Sequence, residues 1–247
     1  MLPLRIALQI SWYALFPVFL LLLPQAIYVK KTTLRLPEAS GSSLLHFAHA
    51  SNNTLRVIHF GESTVAGVGI DQLNQGLSFH ICRQVQSQLP VNIECEILGE
   101  NGIRIHELNA TIAKHTGVMD IAIITMGVND TTKLTSIKKW RKSLQTSIAH
   151  LQHKGVAHIF FMQVPPMAQF PALPAPLKYF LGLRAYQLDL ELQALMNKNK
   201  CCHYVGSKLL VERHFMAKDG YHPSAQGYAA WAEQISPLII GVLKGDL

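Results

Sequence analysis

Four short segments, far apart in the chain, carry the residue types that acyl transfer requires. They are Gly61-Glu62-Ser63 with Gly67, Gly99-Glu100-Asn101-Gly102, Gly127-Val128-Asn129-Asp130 and Asp219-Gly220-Tyr221-His222-Pro223. In this order they offer a hydroxyl nucleophile, a glycine whose backbone N–H can approach a substrate, an uncharged side-chain amide, and an acid close to an imidazole. Each segment alone is typical of a turn or a helix cap, whereas the whole set favours a serine esterase.

The candidate nucleophile is Ser63, and its activation would come from the last of these segments. A serine hydroxyl is a weak nucleophile at neutral pH, so it needs a base within hydrogen-bond reach and a carboxylate that orients this base. His222 and Asp219 fit these roles, because their three-residue spacing allows one ordered loop to direct both side chains toward the serine. Such a mechanism needs no metal ion and no organic cofactor.

Hydrophobic periodicity predicts the elements that would position these residues. Apolar runs alternate with amphipathic stretches, which predicts strands at 56–60, 91–98, 119–126 and 156–164, and helices at 78–89, 103–115, 136–154, from near 183 onward and at 224–242. Apolar runs separated by helices indicate parallel strands that are covered on both faces. We therefore expect an α/β fold, a three-layer α/β/α sandwich with a mostly parallel sheet of about five strands, preceded by an N-terminal hydrophobic helix.

Open parallel sheets bind their ligands beyond the carboxyl ends of the strands. Ser63 follows the first predicted strand of this sheet, Gly102 follows the second and Asn129 follows the third. Asp219 and His222 precede the final helix, which would return them to the same edge. The strand prediction alone therefore brings Ser63, Gly102 and Asn129 together, and the loop before the final helix adds Asp219 and His222.

The four segments resemble the motifs of the SGNH hydrolase family, also called GDSL-type esterases and lipases, over roughly residues 55–243. The resemblance implies an SGNH, flavodoxin-like fold and an esterase activity. It also assigns an oxyanion hole to the backbone N–H groups of Ser63 and Gly102 and to the side-chain amide of Asn129. One position departs from the family, which usually carries Asp where this chain has Glu62.

The first 30 residues predict a membrane anchor or an uncleaved signal-like segment. Ile6 to Val29 contains no charged side chain, and about 20 apolar residues suffice to cross a hydrocarbon core. Pro17 and Pro24 would kink or break a helix in lipid. A spanning anchor, which we favour, a cleaved signal peptide and a helix or hairpin in one leaflet therefore remain open. We expect a membrane-associated protein with a tether at 31–53 and a catalytic domain at 54–247, and the membrane side stays open.

Composition narrows the range of partners. The net charge is +7, but the basic residues are scattered and no nucleic-acid-binding motif accompanies them, which argues against a nucleic acid partner. One denser basic run, from Lys133 to Lys142, lies on a predicted helix and is either a solvated face or a patch that faces anionic lipid.

Three functions remain compatible with the sequence. The first is hydrolysis of a lipid, lysophospholipid or short-chain acyl ester by Ser63, His222 and Asp219. The second is removal of O-acetyl groups from a cell-envelope glycan, and the third is a membrane-tethered binding protein that has lost turnover. The proline-rich segment at 165–183 is either a loop packed on the body or an apolar wall that holds an acyl chain.

Overall fold

The computed structural model of the chain describes residues 2–208 and 210–246, which form a six-stranded sheet between two layers of helices. The strands are β1 (Leu44–Phe47), β2 (Thr54–Gly61), β3 (Asn92–Gly99), β4 (Ile121–Thr125), β5 (His158–Met162) and β6 (Cys202–Val205). The helices are α1 (Leu2–Thr32), α2 (Leu77–Gln88), α3 (Ile105–Lys114), α4 (Val128–Thr132), α5 (Ile137–His153), α6 (Leu177–Met196) and α7 (Ala225–Asp246). The predicted three-layer α/β/α architecture is confirmed.

The sheet has the order β1-β3-β2-β4-β5-β6, and every neighbouring pair is parallel except β1 with β3. Strand β1 is the one beyond the predicted five. It lies within the segment 31–53, which we expected to be a tether, and it joins residues 44–47 of that segment to the sheet. Leu45 and Phe47 explain the difference, since both pack on the core beside α2 while β1 pairs with the open edge of β3.

Each face of the sheet carries its own apolar core. Helices α2 and α7 cover one face, and helices α1, α3, α5 and α6 cover the other. The second core contains Trp140, which is fully buried and donates its indole N–H to the carbonyl oxygen of Leu188 at 3.0 Å. This layering places both long helix layers away from the carboxyl ends of the strands, which stay open.

Helix α6 begins at Leu177, six residues before the predicted start near residue 183. Pro174 and Pro176 lie directly before its first turn, where the missing backbone N–H of a proline breaks no hydrogen bond of the helix. Leu177, Phe180 and Leu181, which the sequence placed in a loop, are buried in the first two turns of this helix.

The register of the central strands sets the level of their carboxyl ends. Gly61 at the end of β2 pairs with Gly99 of β3 on one side and with Thr125 of β4 on the other. All three strands therefore stop at the same height, and the loops that follow them begin side by side.

Candidate active site

Ser63, His222 and Asp219 form a continuous hydrogen-bonded chain at the carboxyl edge of the sheet. The Ser63 hydroxyl lies 2.7 Å from Nε2 of His222, and Nδ1 of the same ring lies 2.6 Å from Oδ2 of Asp219. These distances allow the imidazole to accept the serine proton while the carboxylate stabilises the resulting imidazolium. Sequence reasoning expected these three residues to meet, and the structure brings them into hydrogen-bond contact.

The loop that carries Asp219 also holds its carboxylate in place. The second carboxylate oxygen, Oδ1, accepts the backbone N–H groups of Tyr221 at 2.9 Å and His222 at 3.1 Å. Burial by itself would raise the pKa of Asp219. The hydrogen bonds from His222 and from these backbone groups have the larger combined effect, so the pKa lies below its usual value. The carboxylate is therefore ionised at neutral pH, as a partner of an imidazolium must be.

A tight turn after β2 presents Ser63 to this chain. The N–H of Val68 donates to the carbonyl oxygen of Ser63 at 2.9 Å, and the buried Tyr228 of α7 donates its hydroxyl to the carbonyl oxygen of Val68 at 2.8 Å. Gly99 lies so close beneath the turn that an added Cβ would stand 2.1 Å from the backbone nitrogen of Ala66. Glycine is thus required there because two backbones touch.

The candidate oxyanion donors, Gly102 and Asn129, line the same cavity as Ser63. Gly102 has a φ of +83°, and an added Cβ there would meet no atom within 4 Å. The position needs glycine for its left-handed backbone and leaves the space toward a substrate open. Asn129 lies in the first turn of α4, directly after β4.

The carboxylate of Glu62 joins the nucleophile turn to the Asn129 turn. Its Oε1 accepts the N–H of Val128 at 2.9 Å, and its Oε2 accepts both the backbone N–H of Asn129 at 2.9 Å and the Asn129 side-chain amide at 2.5 Å. Burial raises the pKa of Glu62 to about 7, although these hydrogen bonds oppose the rise. Glu62 is one methylene group longer than aspartate, and its carboxylate still binds the turn that contains Val128 and Asn129.

A cavity of about 840 Å³ opens over Ser63 and His222. One side is apolar and includes Phe170, Leu173 and Leu177 from the proline-rich segment and the start of α6. Among the described residues, no group of three or more His, Cys, Asp or Glu side chains is arranged to hold a metal ion. The cavity thus combines an apolar surface with a hydroxyl in hydrogen-bond contact with an imidazole.

Sequence reasoning missed a second side of this cavity, which the N-terminal part of the chain supplies. Phe19, Val29 and Lys30 of α1 line it, and so does Arg35 from the segment that follows. That segment is fastened across the site, since the carboxylate of Glu38 accepts the N–H of Asn101 at 2.8 Å and the N–H of Ala39 donates to the carbonyl oxygen of Ala66 at 3.0 Å. No local pattern indicates such contacts, because they join residues about 30 to 60 positions apart.

Three solved structures have a similar fold, although their identities to this chain are low. The lipase/acylhydrolase from Enterococcus faecalis has a TM-score of 0.58 at 18% identity, covering 76% of this chain and 96% of that one. The psychrotrophic esterase EstA from Pseudoalteromonas sp., inhibited by monoethylphosphonate, has a TM-score of 0.60 at 14% identity, covering 76% and 98%. A member of the lipolytic protein G-D-S-L family from Veillonella parvula DSM 2008 has a TM-score of 0.58 at 15% identity, covering 73% and 95%.

The family comparison agrees with these structural likenesses. No curated protein matches the chain. The model of the GDSL-like lipase/acylhydrolase family matches residues 59–230, which include all four of the motif segments. The chain therefore belongs to the GDSL-like lipase/acylhydrolase family of ester-hydrolysing enzymes.

Proposed function

We propose that this enzyme hydrolyses acyl esters through Ser63, with His222 as the general base and Asp219 as the residue that orients it. The observation that carries the proposal is the hydrogen-bonded chain from the Ser63 hydroxyl through His222 to the Asp219 carboxylate, at 2.7 and 2.6 Å. General-base assistance of this kind is worth about 10²–10⁴ in rate.

The proposed reaction has two steps. The Ser63 oxygen attacks the acyl carbonyl carbon while His222 takes its proton, and the tetrahedral intermediate collapses when His222 returns the proton to the departing alcohol. Water then attacks the acyl-serine with the same proton relay, which releases the carboxylic acid and restores the serine. The N–H groups of Ser63 and Gly102 and the amide of Asn129 would stabilise the negative oxygen in both steps.

The apolar side of the cavity supports an ester with a substantial acyl chain. Phe170, Leu173 and Leu177 provide a surface on which methylene groups would be removed from water, at about 0.8 kcal/mol for each buried group. An O-acetyl group on a glycan would leave this surface unused. We therefore place lipid and lysophospholipid esters ahead of acetylated glycans as substrates.

Association with a membrane through α1 is part of the same proposal. Pro3–Thr32 is long and apolar enough to cross a membrane, with a mean hydropathy of 2.1 and little of its surface buried. A lipid ester as the substrate and an apolar helix that associates with a membrane are therefore consistent with each other.

The test is an activity profile of the full chain, purified in a mild detergent, on p-nitrophenyl esters from acetyl to palmitoyl. The full chain is needed because α1 and the segment after it line the cavity. We expect turnover that rises with chain length beyond acetyl and is lost in Ser63→Ala and in His222→Ala, both of which keep the circular dichroism spectrum of the wild type. An optimum at acetyl would favour the glycan deacetylase.

A fluorophosphonate probe adds a readout that does not depend on the choice of ester. It labels an activated serine, so wild-type protein should react and Ser63→Ala should not. A folded protein that neither turns over any ester of the series nor reacts with the probe would contradict the proposal and return the chain to the binding-protein interpretation.

A further inference from the structure

Helix α1 packs along one side of the protein rather than standing free of it. Its shielded side chains recur every three or four residues, apart from one gap of seven between Trp12 and Phe19. They are Arg5, Leu8, Trp12, Phe19, Leu22, Gln25, Ala26, Val29 and, just beyond its end, Thr33. This stripe meets α6, where the Phe180 ring lies 4.3 Å from Trp12 and 4.8 Å from Phe19, measured between ring centroids. Helix α1 therefore contributes to the core on this face of the sheet.

Polar contacts fasten both ends of α1 to the same partner helix. Arg5 near the first turn forms an ion pair with Glu191, which also binds Arg141 of α5 at 2.6 Å. Toward the other end, the side chain of Gln25 donates to the carbonyl oxygen of Ala175 at 2.9 Å and accepts the N–H of Leu177 at 3.1 Å. The two helices are thus antiparallel neighbours over nearly the whole length of α1.

This contact determines how α1 can meet a bilayer. Residues 5 to 25 extend over about 30 Å at 1.5 Å per residue, which equals the thickness of a hydrocarbon core. If α1 crossed the bilayer in this arrangement, α6 would enter the hydrocarbon with it. Helix α6 contains Arg184, Asp189 and Glu191, and charged groups at membrane depth are strongly disfavoured.

The outer side of α1 is apolar and exposed. Ile10, Leu21 and Tyr28 lie opposite the packed stripe and are 64, 79 and 66% exposed. Pro17 and Pro24 are exposed on this side as well, so the helix runs through both without disturbing its contact with α6. A side of this composition matches lipid, and Lys30 and Lys31 at the C-terminal end of the helix match anionic head groups.

The end of α1 that carries Lys30 and Lys31 also borders the active-site cavity. Thr33, just beyond the end of α1, lines this cavity together with Tyr221, the residue before His222. The cavity is lined by four cations, Lys30, Arg35, Lys133 and Lys208, whereas its only carboxylate among the described residues is Asp219, which is already paired with His222. The charge at the mouth is therefore complementary to an anionic group on the substrate.

We propose that α1 lies in the plane of an anionic lipid surface with its outer side in the acyl region, and that it forms one wall of the cleft through which a membrane-resident acyl ester with an anionic head group reaches Ser63. This inference rests on the proposed esterase function. The acyl chain would lie against α1 and the apolar side of the cavity, and the head group would meet the cations at the mouth.

The first experiment measures binding to vesicles of phosphatidylcholine with and without phosphatidylglycerol. Leu21→Glu and Ile10→Glu should each weaken binding to the anionic vesicles about tenfold or more, because each replaces an apolar side chain that would enter the acyl region with a charge. Val118→Glu is the matched control, since Val118 is 73% exposed and lies before β4, at the end of the sheet opposite the active-site cavity. Equal binding by all three variants and the wild type would overturn the proposal.

A second experiment separates a helix in the plane from one that spans. Leu21→Trp and Tyr28→Trp, made in a chain whose native tryptophans Trp12, Trp140 and Trp231 are replaced by Phe, place single reporters on the outer side, seven residues and about 10 Å apart along the axis. Quenching by brominated phosphatidylcholine should give the two reporters the same shallow depth. A difference close to 10 Å would show that the helix crosses the bilayer, and the proposal would fail.

The head-group part is tested with a lysophospholipid that carries a glycerophosphate head and the monoacylglycerol of the same chain length. Arg35→Gln and Lys208→Gln should lower kcat/KM several-fold on the anionic ester alone, whereas Lys198→Gln, an exposed lysine outside the cavity, should change neither. Equal losses on both esters would contradict head-group recognition. Turnover of soluble p-nitrophenyl butyrate reports the chemistry at Ser63 separately, so a loss there would indicate failure of the esterase proposal itself.

Discussion

The side-chain amide of Asn129 donates a 2.5 Å hydrogen bond to the carboxylate of Glu62, the residue directly before Ser63. The same carboxylate accepts the backbone N–H groups of Val128 and Asn129, so it fixes both the position and the rotation of the Asn129 turn. An asparagine amide has two N–H groups, and the bond to Glu62 leaves the second for a substrate oxygen. Ser63 and Asn129 are therefore held relative to each other through their neighbours.

Removal of the Asn129 amide should lower turnover but leave the serine reactive. Asn129→Ala takes away one proposed oxyanion donor, and the loss of one such donor typically costs about 10²–10³ in kcat. Ser63 and His222 are not altered, so labelling by a fluorophosphonate should persist. Steady-state kinetics and probe labelling of the same preparation check both expectations. A variant with the wild-type kcat would exclude Asn129 from the oxyanion hole.

The raised pKa of Glu62 predicts a pH dependence of stability. A carboxyl whose pKa is higher in the folded protein stabilises the fold fully below about pH 4.5, and this contribution is lost as the pH rises to about 7. The difference corresponds to about 3 kcal/mol in the free energy of unfolding. Relative to Glu62→Gln, which does not titrate, the wild type should lose about this amount between about pH 4.5 and about pH 7.

Urea unfolding of both proteins across this range measures the effect, because other titrating groups are common to the two chains and cancel in the difference. If the difference between them is the same at both ends of the range, burial does not raise the pKa of Glu62. Glu100→Gln, an exposed carboxylate in the loop after β3, serves as the control and should follow the wild type.

Gly102 and Gly155 form a matched pair for separating backbone strain from a role in the site. Both have a left-handed φ, +83° and +78°, and at both an added Cβ would meet no atom within 4 Å. Gly102→Ala and Gly155→Ala should each destabilise the fold by about 1 kcal/mol. Only Gly102→Ala should also lower kcat, by about tenfold or more, because it moves a proposed oxyanion N–H.

Thermal unfolding and ester turnover of the two glycine variants are compared directly. Equal activity losses in both would attribute the effect to stability alone, and the assignment of Gly102 to the oxyanion hole would then be wrong.

The contact between Glu38 and Asn101 predicts that the segment after α1 supports turnover. Glu38→Ala removes the acceptor for the Asn101 N–H, which adjoins Gly102, and charged hydrogen bonds to backbone groups are worth about 1.5–3 kcal/mol. We expect kcat to fall about tenfold with a small change in KM. Glu212→Ala, which removes another exposed carboxylate, is the control, and an identical response of the two variants would argue against positioning by Glu38.

The elements that carry the site could be predicted because their patterns are local. Strand β4, before Asn129, is buried along its whole length and forms a continuous apolar run, whereas β3, before Gly102, alternates buried with more exposed side chains, and β2, before Ser63, is buried over its second half. All three patterns lie within single strands, and the turn residues that end the strands are visible in the same windows. Strand β1 was not predicted, because it has only four residues and its side chains alternate between exposed and partly buried. The start of α6 at Leu177 was missed because prolines directly before a helix resemble a loop.

Helix α1 shows most clearly what a local pattern leaves out. Its residues are apolar on every side, so hydropathy alone does not distinguish the stripe that packs on α6 from the exposed side of Ile10 and Leu21. The packed stripe becomes visible only once the partner helix is present, because its spacing of three and four residues is masked by apolar residues between.

The sequence by itself determined which residues are candidates for the chemistry and which class of fold presents them, since both follow from residue type and from periodicity within single elements. Tertiary structure decided the rest. The Ser63 hydroxyl meets His222 across 159 residues at the edge where Gly61, Gly99 and Thr125 share one level in the sheet, because the loop before α7 returns to that edge, and the packing of α1 places it beside the cavity. Such contacts depend on strand register and on helix packing between distant segments, and no window of the chain contains both partners.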